Sequence, residues 1–169
     1  MSNILRSYSQ IANQPSITFT VGGDGNNFKP VFTLPIIQAN DSNIEDGKTL
    51  HIDLVFHYDV SSGGSSFGTY VNINGVQYGP GTGPGLLNSS TSPGRLTYDI
   101  RIKFIDATTV QIFQKVWKRN PFNTTLGGSF LYTAPFDRTV DNTIIIESAQ
   151  YTIAADMVLT PIATNIYLQ

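Results

Sequence analysis

Apolar and polar residues alternate with a period of two over two long segments of the chain, Thr49–Asp59 and Leu96–Ile105. Because successive side chains of a β-strand point to opposite faces, this pattern predicts two strands that each bury one face. At about 3.3 Å per residue, each strand would be roughly 33 Å long. The predicted buried positions are Leu50, Ile52, Leu54, Phe56 and Tyr58 in the first segment and Leu96, Tyr98, Ile100, Ile102 and Phe104 in the second.

The second segment is followed by a short polar connection and by another alternating segment. Asp106–Thr108 is suitable for a tight turn, and Thr109–Lys118 follows with apolar residues at Val110, Ile112 and Val116. Two strands joined by so short a connection pair with each other in antiparallel orientation. We therefore predict that Leu96–Lys118 forms one long antiparallel hairpin.

Shorter apolar segments separated by glycine, proline and asparagine predict further strands, and no window carries a convincing helical repeat. Pro35 and Pro161 would place their strands at sheet edges or split them, and Asp41–Asp46 would form a single turn. About eight strands at this spacing predict an all-β fold, an antiparallel two-sheet sandwich that is jelly-roll-like. The additional predicted strands are Ile17–Val21, Val31–Ile37, Thr69–Val76, Ser129–Thr133, Thr143–Tyr151 and Met157–Leu168.

The length of 169 residues suits one domain with its own core. We expect residues 16–169 to form the single sandwich domain and residues 1–15 to form a poorly packed N-terminal arm. Four apolar residues of this arm are candidate anchors on a neighbouring molecule: Ile4, Leu5, Tyr8 and Ile11.

The chain contains few charged residues, and this determines the expected character of its surface. Charged residues make up 13% of the chain, about half of the usual ~25%, so small polar residues must cover much of the surface. The net charge of −2 gives no basic footprint for a nucleic-acid partner. We interpret the one basic cluster, Lys115, Lys118 and Arg119, as a solvated strand end.

Other features of the composition exclude further classes. The chain has no cysteine, which excludes a disulfide framework and thiolate chemistry. No apolar segment is long enough for membrane insertion. Residues 1–8 lack a basic region followed by an apolar run, so we expect no signal peptide and synthesis in a cytoplasm.

The glycine- and proline-rich segment Gly79–Gly85 raises the question of a phosphate-binding loop. Such a loop needs a helix after it and a lysine followed by serine or threonine at its end. Neither follows Gly85, and the prolines remove N–H donors. We therefore predict a long surface loop leading to the strand at Leu96. Loops of this length commonly contact a ligand or a partner subunit, and the candidate contact residues are Tyr78, Leu86 and Leu87.

Gly64–Gly68 matches the G-x-S-x-G pattern of a hydrolase nucleophile elbow, with Ser66 as the nucleophile. An elbow turns from a strand into a helix, and its acid and histidine partners follow the serine in the chain. Here a strand-like segment follows, and His51 and His57 both precede the serine. We interpret the segment as a hairpin loop and do not predict an enzyme.

Four metal-capable residues share one face of the first predicted strand: His51, Asp53, His57 and Asp59. Residues two apart lie about 7 Å from each other, so neighbouring pairs are weak candidates for a metal site. The histidines are about 20 Å apart and share no ion within one chain. The alternative is a polar outer face with Asp–His hydrogen bonds, and we expect no metal and no cofactor.

The segments 22–27 and 40–46 are rich in oxygen ligands, as calcium loops are. Neither has the ligand spacing and terminal glutamate of an EF-hand. Turn formation explains both, since Gly, Asn and Asp tolerate a positive φ.

An aromatic stripe is predicted on the second strand of the long hairpin. Phe113, Lys115 and Trp117 fall on the face opposite to Ile112 and Val116. An exposed stripe of this kind fills a subunit interface or stacks on a sugar ring. Both alternatives remain open at the level of the sequence.

The C-terminal segment Phe136–Met157 resembles the closing segment of β-sandwich virion proteins of tailed bacteriophages. Such segments have a polar turn, a Thr-Val-Asp-Asn sequence, a strand of Ile or Leu and an Ala-Gln-aromatic end. The matching residues are Thr139-Val140-Asp141-Asn142, Ile144-Ile145-Ile146 and Ala149-Gln150-Tyr151. In this interpretation Asp141 and Asn142 form the turn, and the isoleucines form a strand buried on both faces.

The resemblance implies a jelly-roll virion protein, commonly a homotrimer, in a capsid decoration, head fibre or tail fibre. The chain lacks the heptads or repeats of a fibre shaft, which favours direct attachment to the major capsid protein or another virion protein. The alternatives are a receptor- or glycan-binding tip that uses Trp117 and the Gly79–Ser92 loop, and a small hydrolase that uses His51 or His57.

Overall fold

The computed structural model describes residues 8–9, 15–20, 28–61, 64–79, 85–88, 93–119, 124–150 and 156–169. The regular secondary structure in these ranges consists of β-strands, without a helix. No helix in these ranges meets the length and hydropathy of a membrane-spanning segment. The strands form two antiparallel sheets, which confirms the predicted fold class. They are β1 (Tyr8–Ser9), β2 (Ile17–Phe19), β3 (Phe28–Thr33), β4 (Thr49–Val60), β5 (Gly64–Ile73), β6 (Val76–Tyr78), β7 (Gly85–Asn88), β8 (Gly94–Phe104), β9 (Thr109–Arg119), β10 (Thr124–Pro135), β11 (Ile144–Gln150) and β12 (Met157–Leu168).

The strand order is that of a jelly roll with one added hairpin. Sheet A has the order β1-β12-β4-β8-β9-β10 with β2 also paired to β12, and sheet B has the order β3-β11-β5-β6 with β7 also paired to β5. In the numbering of an eight-stranded jelly roll, β2 to β5 are strands 1 to 4, β6 and β7 together are strand 5, and β8, β11 and β12 are strands 6, 7 and 8. Sheet A then contains the order 1-8-3-6, and sheet B contains the order 2-7-4-5. This is the order that two interlocked Greek keys produce. The β9–β10 hairpin extends sheet A beyond β8.

The core lies between the two sheets and follows from the alternation in the sequence. In β4 and β8 every second side chain is buried, and the predicted long hairpin pairs from Phe104↔Val110 to Arg95↔Arg119. Polar contacts also connect the two sheets inside this core. The Tyr98 hydroxyl lies 3.3 Å from Ser148 Oγ, and Gln114 Nε2 donates to the Thr69 carbonyl at 2.6 Å.

The predicted strand Thr69–Val76 is wrong because it runs through a tight turn. β5 ends at Ile73 and β6 begins at Val76, and Asn74 and Gly75 both adopt positive φ, 52° and 88°. Asn-Gly with positive φ at both positions forms the two-residue hairpin turn whose twist matches that of the flanking strands. The Asn74-Gly75 pair was the sequence signal that would have located this turn.

The interpretation of Gly64–Gly68 as a hairpin loop is also wrong, since these residues form the first half of β5. In the described residues, positions 64–67 pair with β7 and positions 67–68 pair with β11, so Phe67 is the residue of this segment that is paired on both sides. Pairing with these neighbouring strands overrides the low strand propensity of glycine and serine. The same pairing corrects the prediction of an uninterrupted loop between Gly79 and Leu96, because β7 lies within it.

The prolines act as expected, although the strand limits differ. β3 covers Phe28–Thr33 rather than Val31–Ile37 and ends before Pro35. Pro161 lies at the bulge of β12, between the parts of that strand that pair with β2 and with β1. The missing N–H of Pro161 is tolerated because the edge of β12 that faces away from β4 has no paired strand at this position in the described residues.

Asp141 and Asn142 do not form the turn predicted from the sequence, because the turn lies at Arg138 and Thr139 and Asn142 forms a β-bridge with Ile37. Asn142 is fully buried, exchanges backbone hydrogen bonds with Ile37, and its Nδ2 donates to the carbonyls of Asp137 and Val140. The strand β11 is also less buried than predicted, because Ile145 is only partly covered. The β10–β11 connection is thus an ordered loop closed by a buried amide.

Part of the predicted N-terminal arm pairs with the sandwich. Tyr8 and Ser9 form β1, which pairs with β12 at Ile166 and Asn165. The other residues before position 15, including Ile4, Leu5 and Ile11, lie outside the described residues.

Candidate functional site

The outward-facing residues of sheet A form one continuous surface, which we call the outer face. It exists because the inner residues of the same strands are buried against sheet B, so the alternating partners must face solvent. The register aligns these residues in rows across the strands. The aromatic row contains Tyr167, His51, Arg101, Phe113 and Leu131, and the next row contains Asn165, Asp53, Asp99, Lys115 and Ser129. Val55, Thr97 and Trp117 follow, and then the arginine row with Thr160, His57, Arg95 and Arg119.

The histidines on β4 have separate surroundings. The His51 ring stacks on Tyr167, with a centroid distance of 4.5 Å and an interplanar angle of 9°. His57 is exposed and lies directly opposite Arg95. No group of three or more His, Asp and Glu side chains suited to a metal ion occurs in the described part of the chain.

Two aspartates face each other at the centre of the outer face. Asp53 on β4 is directly opposite Asp99 on β8, and Asp99 accepts hydrogen bonds from Arg101 Nε at 3.0 Å and Nη2 at 3.1 Å. Burial, followed by repulsion from Asp99, raises the pKa of Asp53, against opposing effects of His51, Arg101 and Asn165. Arg101 makes both of its hydrogen bonds to Asp99 and so offsets the charge of Asp99 most directly. The negative charge of Asp53 is therefore less fully offset.

The aromatic stripe predicted on β9 lies on the outer face, with cations arranged over it. Lys115 Nζ is 5.1 Å from the Phe113 ring centre and 6.0 Å from that of Trp117. Arg101 Cζ is 5.9 Å from the Phe113 ring centre. These distances suit cation–π attraction, which holds the charged side chains beside the rings.

Two of the exposed large hydrophobic residues lie on the outer-face side of the added hairpin. Trp117 is 37% exposed, and Leu131 on β10, directly opposite Phe113, is 61% exposed. Leu131 and the Phe113 ring opposite it form a small apolar patch, and Trp117 lies four residues, about 13 Å, from Phe113 along β9 with Lys115 between them.

The arginine row differs from the rest of the outer face. Arg95 on β8 is directly opposite Arg119 on β9 and, on its other side, opposite His57 on β4. All three side chains are exposed. Trp117 precedes Arg119 by two positions on β9 and therefore points to the same side.

The remaining sequence candidates lie elsewhere. Tyr78 is half-buried at the end of β6 and packs against the core. Leu86 and Leu87 belong to β7, which pairs with Ser65 and Ser66 of β5, and Tyr8 belongs to β1. None of these four residues lies on β4, β8, β9 or β10, the strands that carry most of the outer face. Ile11 lies outside the described residues.

The loops considered for cation or phosphate binding have simpler explanations where they are described. Asp41 Oδ1 accepts hydrogen bonds from the backbone N–H and Nδ2 of Asn43, which is turn chemistry. Gly85 begins a strand, and a phosphate-binding loop would continue into a helix there. Residues 22–27 and 80–84 lie outside the described residues.

The residues of the outer face that were not singled out in the sequence include Arg95, Arg101, Leu131 and Tyr167. Alternation alone predicts that Arg95 and Arg101 face away from the core. It gives no information on which residues of other strands lie beside them, because that depends on register.

No model of a known protein family matches the chain, and no curated protein sequence matches it. Among solved structures the chain is similar to lectin II from Ulex europaeus, with 10% identity, a TM-score of 0.38 and coverage of 97% of this chain and 98% of the lectin. A second structure, described as lectin UEA-II complexed with galactose, gives 12% identity and a TM-score of 0.38 over 97% and 98% of the two chains.

A viral structure is also similar over most of this chain. The structure of the infectious bursal disease virus Gx strain gives 9% identity and a TM-score of 0.27, and covers 96% of this chain and 42% of the viral chain. TM-scores of this size do not establish a common fold. The class of protein, an all-β antiparallel sandwich with jelly-roll strand order, therefore follows from the strand pairing of the chain itself.

Proposed function

We propose that this protein is a structural component of a bacteriophage virion that attaches by the outer face of sheet A to identical copies and to a capsid. The observation that carries the proposal is the exposure of Leu131, beside Phe113, and of Trp117 on the same face of sheet A. Exposed apolar and aromatic side chains among polar neighbours are typical of a protein interaction surface.

The dimensions of the outer face fit an interface between proteins. Five neighbouring strands about 4.8 Å apart, each with some ten residues at about 3.3 Å, cover on the order of 600 Å². A specific interface buries about 800 Å² on each partner. The outer face with its adjoining loops therefore provides enough surface for a specific contact.

The resemblance of Phe136–Met157 to closing segments of phage virion proteins supports the virion role. Jelly rolls are also common among capsid and lectin domains. In this proposal the chain folds in the host cytoplasm, assembles as a homotrimer and joins the virion as a decoration protein. Its partners are its own copies and the major capsid protein or another virion protein, and it acts by burial of surface without a catalytic step.

We expect that Leu131→Asp weakens self-association at least about tenfold, because a carboxylate would have to be desolvated in the apolar patch. The measurement is light scattering coupled to size exclusion over a range of protein concentrations. The matched control is Val76→Asp, since Val76 is similarly exposed at 51% but lies on β6 of sheet B. A wild-type protein that stays monomeric, or equal association of both variants, would contradict the self-association part of the proposal.

A second candidate function is glycan binding at the tip of a head or tail fibre. It is favoured by Trp117, whose ring is partly exposed on a flat face and has Lys115 on one side and Arg119 on the other along β9. Aromatic rings in such positions stack on the C–H face of sugars, and the flanking cations supply hydrogen-bond donors. In this function the partner is a saccharide of the host surface.

For this second candidate we expect Trp117→Ala to reduce saccharide binding by about 10- to 100-fold, which corresponds to the roughly 1.4–2.8 kcal/mol of a lost ring contact. Glycan-array binding followed by titration of the best ligand measures it. Trp117→Phe keeps an aromatic face and should retain most of the affinity. Unchanged binding in Trp117→Ala would contradict the stacking of a sugar on this ring.

A further inference from the structure

We propose that the arginine row is a binding site for the carboxylate or sulfate group of an acidic saccharide. The inference rests on the glycan-binding candidate, since Trp117 would stack on the sugar ring and the arginine row would select the charge. His57, Arg95 and Arg119 are the residues that would contact the anion.

The register brings three nitrogen-bearing side chains together. Arg95 is directly opposite both His57 and Arg119, so the three residues occupy one line across β4, β8 and β9. Residues directly opposite in neighbouring strands have Cβ atoms about 4.5–5.5 Å apart. Two guanidinium groups at this spacing present several N–H donors that match the paired oxygens of a carboxylate or sulfate.

The two arginines lack the acidic partner that Arg101 has on the same face. Arg101 makes two hydrogen bonds to Asp99, whereas Arg95 and Arg119 make no side-chain hydrogen bond or ion pair within the described chain. Asp59, the next outward residue after His57 on β4, already has an interaction of its own. Like charges directly opposite each other destabilise a sheet, and a bound anion removes that cost.

The charge of the outer face supports an anionic ligand. It carries five basic residues and three aspartates, although the chain as a whole has a net charge of −2. Basic and acidic residues are therefore unevenly distributed, and anions are attracted to this face. The residues are Arg95, Arg101, Lys103, Lys115 and Arg119, and Asp53, Asp59 and Asp99.

The position of Trp117 distinguishes an acidic sugar from a simple inorganic anion. Trp117 and Arg119 are two residues apart on β9, which is about 7 Å along the strand. Trp117 is opposite Thr97, two positions from Arg95 on β8. A sugar ring stacked on the indole would therefore place an anionic substituent within reach of both guanidinium groups.

The test compares one neutral saccharide with its acidic derivatives, using lactose, 3′-sulfolactose and 3′-sialyllactose and the full chain. We expect the wild type to bind the two acidic saccharides at least about tenfold more tightly than lactose in low salt, because lactose lacks one charge-assisted contact. The double variant Arg95→Ala/Arg119→Ala should lose this preference and bind all three alike. Lys103→Ala removes a cation from the same face outside the arginine row and should keep the preference.

The variants separate failure of this inference from failure of the glycan candidate. Equal binding of the three saccharides by the wild type, lost in Trp117→Ala, overturns the anion site but supports a sugar platform. Wild-type protein that binds none of the three overturns both. A double variant that instead loses self-association shows that the arginine row contacts an acidic protein surface, and this also overturns the inference.

Far-UV circular dichroism and melting curves verify that each variant is folded. The variant Arg95→Lys/Arg119→Lys tests whether positive charge is sufficient without the planar guanidinium group.

Discussion

Replacement of Tyr98 by alanine is expected to lower the free energy of unfolding by about 3–5 kcal/mol, as for other buried aromatic residues. Tyr98 is completely buried on β8, and its ring centre lies 5.3 Å from that of Phe56. Removing it would leave a cavity between the sheets and would also leave Ser148 Oγ without its contact to the Tyr98 hydroxyl. Urea unfolding followed by circular dichroism measures the loss.

The hydroxyl and the ring are separated by a second variant. Tyr98→Phe keeps the ring and removes only the hydroxyl, so it should cost about 1 kcal/mol. Burial raises the pKa of Tyr98, so the neutral phenol is the form that packs in the core. A cost for Tyr98→Ala no larger than that for Tyr98→Phe would mean that the ring does not fill the space between the sheets.

Gly94→Val is expected to destabilise the protein by about 3 kcal/mol or more, at the upper end of the range for overpacking a core. Gly94 is buried at the start of β8, directly opposite Tyr58 of β4. A Cβ atom on Gly94 would overlap with Cε1, Cζ and the hydroxyl oxygen of Tyr58. Because Tyr58 is completely buried, its ring has little space into which it could move.

Two further variants test this explanation by urea unfolding. Tyr58→Leu combined with Gly94→Ala should cost less than the sum of the two single changes, because the shorter side chain removes the overlap. Gly75→Ala is the comparison for backbone strain alone, since Gly75 has open space around it but a φ of +88°. It should cost only about 1–2 kcal/mol. Strictly additive costs at Tyr58 and Gly94 would contradict the proposed overlap.

The Gly94–Tyr58 contact also connects the core to the proposed anion site. Tyr58 follows His57, and Gly94 precedes Arg95, so the buried pair sets the separation of two members of the arginine row. The absence of a side chain at Gly94 lets β8 lie against the Tyr58 ring at this point. A substitution in the core at this position would therefore also disturb the outer face.

The sequence was informative where one rule governed the outcome. Alternation predicted β4, β8 and β9 almost to their ends, and the same alternation placed Phe113, Lys115 and Trp117 together on one face. It was less informative where pairing with distant strands outweighed local preference. Gly64–Gly68 is a strand because β7 and β11 pair with successive parts of it, although its residues favour loops.

The chain by itself therefore determined the fold class, the long hairpin and the outward direction of the aromatic stripe, because a side-chain period of two depends only on neighbouring residues. Only the tertiary structure placed Leu131 beside Phe113, Tyr167 on His51, and Arg95 between His57 and Arg119. These neighbours depend on the register between strands far apart in sequence, which the packing of the shared core sets and which one residue of slip would reverse.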